Sequence, residues 1–586
     1  MARTPASSQA ASSQDSFEKV FAIPEICGRI ARSLDRTTLT SCSRVSREWN
    51  ASWLPILWRT IDAGKHWRHP AFQEALGRHG DLIRILECSR YDDIGLIFNT
   101  DTILCRNLVT LVLPKTTLAN QADHVRLIRQ NPHLRNLSVS FHDDPSSQYS
   151  DLVAAISGLR LLRKIAFDEN KTLEVSTLEA ILRGCNSSLQ ELSLKDTYFL
   201  KHPFNSAEEF ASGLLAISDP ATGDSLDPLS RDKDIETKEP FGILSLCMDG
   251  VACLQDLLLN LGSRFPLLSR LSLRKTAEVY FSWDFSARLA QRCPKIKHLD
   301  ISETEDMDDE AIARFISSFP SLQNLQASDT RFGNKSLATL VTGCRDLAVL
   351  DITATSGVQG QLVQQLLEKC TQLRELNCWD VSTNVVEMML GAFRTRRGAA
   401  AADGETFIAA DGSIIRTGDA YNPDLQGQWM CRGLESLSIR FDYDPSPLTI
   451  DEQRLYPVSR ARQFVYEQLS KLTGLKYLAM EAEFYANNEE DSLEGEGDYD
   501  NERDDGNNNI WIDLSLRSGL ETLAPLKNLH TLSYSRLNHK VGMSEIQWMS
   551  KNWPNLRLVN GLDEDEDSEI IEWLEKNRPD IDIDDY

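Results

Sequence analysis

The chain has 586 residues, 41 % of them hydrophobic, 12 cysteines and a formal net charge of −25. Residues 487–505 carry −9 and residues 563–586 carry −10, so the remainder is at only −6 and lacks the basic stripe that nucleic-acid binding needs. No apolar run reaches the ~18 residues of a membrane helix, and the scattered cysteines form no CxxC pair of the kind that holds a metal.

The first 16 residues, MARTPASSQAASSQDS, are polar and lack a signal-peptide core, so we expect a disordered tail over 1–16. Without an export signal the chain is expected to be cytoplasmic and/or nuclear, with reduced thiols. Residues 23–58 then read as two or three short amphipathic helices. Pro24 sits just inside a helix start. Ile26, Ile30 and Leu34 make one apolar stripe, and Leu39, Cys42, Val45 and Trp49 make a second. A unit this small needs a partner, a metal, a disulfide or a larger neighbour to be stable. Residues 63–80 read as a helical linker.

From residue 81 onward the pattern LxxLxL recurs. Clean copies start at Leu108, Leu134, Leu162, Leu189, Leu268, Ile296, Leu322, Leu347, Leu373, Leu434, Leu475 and Leu529, with weaker ones at Ile83, Ile243 and Leu556. From Leu108 to Leu189 and from Leu268 to Leu373 the copies follow in steps of 25 to 28 residues, the period of a leucine-rich repeat. The last two apolar residues of each copy share one face of a short strand. Helical spacing fills the interval, as in DEAIARFISSF. The predicted fold is therefore α/β: a right-handed solenoid over 81–586, with a parallel concave sheet and convex helices. Cys185, Cys293, Cys344 and Cys370 occupy a slot just ahead of the first apolar residue that other copies fill with Phe265, Phe319 or Trp553, so they read as core plugs. The rhythm breaks at three insertions, 201–240, 394–433 and 487–508. The second holds GETFIAADGSIIRT, a β-hairpin signal, and the third is the acidic stretch. Ile581 falls one period after Leu556, which predicts a terminal cap.

The opening stretch resembles an F-box. It holds IPEI at Ile23–Ile26, LD at Leu34–Asp35, VSREW at Val45–Trp49 and LW at Leu57–Trp58, in the family's order. Gly28 and Ile23 depart from the usual pattern. The whole chain looks like the fungal type of F-box leucine-rich-repeat protein, including the run from Trp429 to Leu437. The resemblance implies an F-box over 17–62 that docks on the Skp linker subunit, and through it on a cullin, in an SCF-type ubiquitin ligase. The solenoid then holds a protein substrate. The residues matching the docking surface are Pro24, Ile26, Ile30, Leu39, Val45 and Trp49. The rival reading is a leucine-rich-repeat scaffold that joins no ligase.

We find no phosphate loop, HExxH or GxSxG motif and no clustered nucleophile, base and orienter, so a non-catalytic protein without a cofactor is expected. Strand alternation puts the residues between the core leucines on the concave face. Among them Arg274, Trp379, Arg440 and Tyr477 are of the types that most often anchor interfaces, and they are the expected substrate contacts.

Overall fold

Each LxxLxL copy becomes a strand, because its two leucines, two residues apart, both turn toward the same apolar layer. The computed structural model describes residues 24–31, 33–62, 69–88, 105–141, 146–168, 173–197, 241–251, 255–276, 283–304, 306–355, 357–390, 428–444, 457–480, 514–534, 541–563 and 567–584. The expected tail over 1–16, the whole of the insertion at 201–240, the hairpin and the acidic loop at 487–508 lie outside these residues. The chain divides into two units, residues 1–252 with 263–267, and residues 253–262 with 268–586.

Among the described residues the first unit opens with three helices, α1 (Pro24–Ala31), α2 (Arg36–Cys42) and α3 (Arg47–Leu57). Side-chain caps start two of them: Asp35 Oδ1 accepts from the Thr38 N–H at 2.6 Å, and Ser46 Oγ accepts from the Trp49 N–H at 3.1 Å. The helices close around Ala31, Leu39 and Trp53, with Ile30, Leu34, Cys42, Trp49, Ile56 and Leu57 packed against them. This small core is the reason for the two apolar stripes.

The sheet begins earlier than the sequence suggested. β1 (Thr60–Asp62) pairs in parallel with β2 (Ile85–Glu87), and the Arg36 guanidinium donates to the Thr60 carbonyl at 2.9 Å. Residues 60–62, expected at the end of the F-box, are thus the first strand of the repeat sheet. The described part of the linker holds one helix, α4 (Pro70–His79). Next come β3 (Thr110–Thr116), α5 (Gln121–Gln130), β4 (Asn136–Phe141), α6 (Ser150–Ser157), β5 (Lys164–Asp168), α7 (Val175–Gly184), β6 (Glu191–Lys195) and β7 (Ser245–Cys247). Each strand pairs in parallel with the next.

The second unit repeats the scheme. After α8 (Gln255–Arg264) its strands are β8 (Arg270–Ser272), β9 (His298–Asp300), β10 (Asn324–Gln326), β11 (Val349–Asp351), β12 (Glu375–Asn384), β13 (Ser436–Asp442), β14 (Tyr477–Ala479), β15 (Thr531–Ser533), β16 (Leu558–Asn560) and β17 (Asp582–Asp584). Between them lie α9 (Trp283–Arg292), α10 (Asp309–Ser317), α11 (Asn334–Gly343), α12 (Gly360–Lys369), α13 (Val458–Leu469), α14 (Met543–Asn552) and α15 (Ser568–Asn577). Leu299, Leu325, Leu350, Leu376, Leu437 and Leu478 stand in register from β9 to β14, all of them buried. One strand and one helix per turn cannot bury their apolar faces alone, so the stack is the unit of stability.

The insertion expected over 394–433 ends sooner. Trp429 and Cys431 are buried. Trp429 is tied in by polar bonds: its indole N–H donates to Gln364 Oε1 at 2.8 Å and its backbone N–H to Gln468 Oε1 at 3.1 Å. Residues 428–433 therefore belong to a repeat. The cysteine slot is also apolar as expected. Cys185, Cys293, Cys344 and Cys370 are buried, and burial pushes their thiols up to about 11 or 12. The Cys185, Cys293 and Cys344 thiols point at the Ile156, Gly262 and Phe319 carbonyls of the preceding repeat, and the Trp553 indole N–H meets Leu523 O in the same way. Cys105 and Cys431 fill the slot too, each three residues before its leucine. That three-residue spacing is itself a sequence mark of the slot.

Candidate interaction surfaces

Two surfaces gather the residues that sequence reasoning singled out. The first is the three-helix segment. Pro24 is the first residue of α1. Ile26, Ile30 and Trp49 are half-buried, and the Trp49 ring lies 6.0 Å from that of Trp53. Leu39 is 8 % exposed and part of the three-helix core, whereas Val45 is 64 % exposed. A docking role for Leu39 is thus at odds with its place inside, where Ala31 and Trp53 cover it; Val45 is a large apolar side chain left in water.

The second surface is the open face of the second unit's sheet. Parallel register lines up the residues that flank the buried leucines. One row runs Val349, Glu375, Ser436, Tyr477, and the other Gln326, Asp351, Asn377, Ser438. A cavity of about 320 Å³ opens where the rows meet, and both Trp379 and Tyr477 line it. The pairing of β12 with β13 jumps from Cys378 to Ser382, so Trp379 begins an irregular stretch of backbone. Such irregularities re-aim side chains and are over-represented beside functional sites.

The two arginines lie elsewhere. Arg274 donates from Nε to Glu303 Oε1 at 2.7 Å, and Arg440 pairs with Asp442 at 3.2 Å. The structure thus brings together Trp379 and Tyr477 of the four expected contacts and engages both arginines in ion pairs.

Among the described residues, the cavity's charge comes from Asp351 and Glu375, and no cation lines it. Asp351 Oδ1 accepts from the Thr353 N–H at 3.1 Å and from its hydroxyl at 2.8 Å. Glu375 is exposed and pairs with no cation among the described residues. The Trp379 indole N–H and the Asn377 Oδ1 are out of solvent without a hydrogen-bond partner. A buried polar group in that state costs about 1–3 kcal/mol, and such groups are rare in native proteins. Alternation had put Asp351, Glu375 and Asn377 on this face without singling them out. What joins them is the register across β10–β14, which crosses a 61-residue gap between repeats.

Elsewhere, no group of three His, Cys, Asp or Glu side chains among the described residues could hold a metal ion. No described helix is long and apolar enough to cross a membrane.

No family model matches the chain, and no curated protein matches it. Among solved structures, an internalin (InlF) from Listeria monocytogenes str. 4b F2365 is 12 % identical with a TM-score of 0.28, over 51 % of this chain and 75 % of its own. The chain of a TLR13–ssRNA13 complex is 13 % identical with a TM-score of 0.36, over 86 % of this chain and 64 % of its own. The strand registers define the class on their own: an α/β, leucine-rich-repeat-like stack of parallel strands alternating with helices.

Proposed function

We propose that this chain is a non-catalytic adaptor of an SCF-type ubiquitin ligase. In this reading α1–α3 dock on the Skp linker subunit, and through it on a cullin, while the repeat sheet holds a protein substrate. The observation that carries it is the pairing of the F-box-like motif with a separate three-helix core that leaves Val45 exposed. Buried Leu39 and Trp53 supply cohesion, which frees outward residues for a partner. An exposed valine contributes nothing to that cohesion, so it is free to be covered by a partner.

Val45→Asp separates docking from folding. Loss of a central apolar anchor costs about 2 kcal/mol or more, so Skp binding should weaken at least about thirtyfold. The melting temperature should stay within a degree or so, because Val45 is outside the core. Wild-type protein with no Skp binding at micromolar concentration, or full binding by the variant, counts against the reading. The first result leaves the leucine-rich-repeat interaction scaffold.

A further inference from the structure

We propose that the cavity on the open face of β10–β14 is a receptor for a basic side chain, with arginine preferred, carried on an extended segment of a partner protein. The proposal deepens the reading of this sheet as a binding face and does not depend on the ligase link.

Charge is the first argument. Two carboxylates, Asp351 and Glu375, line the cavity with no cation among its described walls. Two nearby cations are committed elsewhere: Lys476 to Glu435 at 2.6 Å and Arg440 to Asp442 at 3.2 Å. A cationic guest meets uncompensated negative charge here, and an acidic one is repelled.

The aromatic groups are the second. Trp379 and Tyr477 line the same cavity. Their ring faces attract cations, arginine above all, whose planar guanidinium also stacks. At about 320 Å³ the space lies at the lower end of small-ligand sites, and suits one long side chain with its flanking backbone.

The test uses the full chain and the capped peptide Ac-Gly-Gly-Arg-Gly-Gly-NH2, titrated by ligand-observed NMR. Three controls carry citrulline, lysine or glutamate in place of arginine. Citrulline has almost the same shape without the charge, and it should bind about fivefold more weakly or worse. Lysine should fall between, and glutamate should not bind. Glu375→Gln, an exposed and nearly isosteric change, should lower arginine-peptide affinity about two- to fivefold with unchanged melting. Trp379→Leu should lower it by a similar factor. Equal binding of arginine and citrulline peptides, or unchanged arginine binding in Glu375→Gln, overturns the proposal. Preferential binding of the neutral sugar chitotriose overturns it in favour of a glycan site. No Skp is present in this titration, so failure here leaves the adaptor reading standing, and failure of Skp binding leaves this one.

Discussion

A threonine turns the chain at the end of several strands. The sequences LSLKDT, LSLRKT, LDISET, LQASDT and LDITAT each place a residue in the left-handed region just before it: Asp196 at φ 45°, Lys275 at 56°, Glu303 at 59°, Asp329 at 53° and Ala354 at 54°. A side chain in that region is strained by roughly 1–2 kcal/mol, so something must hold the turn. Backbone bonds hold it from the next repeat: within the second unit the N–H groups of Lys275, Glu303 and Asp329 donate to Ser302 O, Ser328 O and Thr353 O. The threonine holds it from within, since Thr304 and Thr330 each donate from Oγ1 to the carbonyl three residues back at 2.6 Å. Thr330 also accepts from the Phe332 N–H at 3.2 Å. Thr355 is the exception, its Oγ1 being buried without a partner. These two positions should therefore respond differently to the same isosteric change. Thr330→Val removes two hydrogen bonds and should cost about 1–3 kcal/mol in urea unfolding. Thr355→Val removes none and should be neutral or slightly stabilising. Equal losses at both sites would show that threonine acts here through shape alone.

One helix of this stack, α11, is capped from the repeat before it. α11 begins after Gly333, which has no side chain to cap with, and the Asp309 carboxylate of α10 does the work instead. It accepts from the N–H groups of Gly333 at 2.9 Å, Lys335 at 2.8 Å and Ser336 at 3.0 Å. A carboxylate there also meets the positive end of the helix dipole. Asp309→Ala should cost about 1–2 kcal/mol, the size of a lost N-cap, and hydrogen exchange should quicken in the first turn of α11 before it does in α10. Loss confined to α10 would place the stabilisation in that helix. The helices and most strands were legible in the sequence, because a two-leucine strand and a 3.6-residue apolar stripe leave strong periodic marks. β1 was not, since Thr60-Ile61-Asp62 offers a single apolar residue and no LxxLxL frame. Nor was this cap, because Asp309 and Gly333 are 24 residues apart and nothing local links them.

At the scale of the whole molecule, contacts in a repeat stack run between neighbours, so stability should be a sum of local terms with coupling only next door. This also sets what could be read from one sequence. The Trp379 and Tyr477 side chains were legible as outward residues, but the cavity they share exists only because five strands keep one register. Arg274 and Arg440 look like equally good anchors in the sequence, but in the fold Glu303 and Asp442 engage them. Neighbour coupling can be measured directly. Asp309 and Thr330 act on adjacent backbone, through the N–H groups of Gly333 and Phe332. The double variant Asp309→Ala with Thr330→Val should therefore depart from additivity by more than about 0.5 kcal/mol, as residues of one hydrogen-bond network do. The distant partner is Asn131 in the first unit, which accepts from the Leu108 N–H at 2.9 Å and donates to Cys105 O at 2.6 Å. Asn131→Ala should itself cost about 1–3 kcal/mol, because it strips partners from buried backbone. Combined with either second-unit variant it should add to within about 0.5 kcal/mol. Urea unfolding of the single and double variants gives both cycles. Strong coupling between Asn131 and Thr330 would mean that the two units melt through a shared structural change, and the nearest-neighbour account would fail.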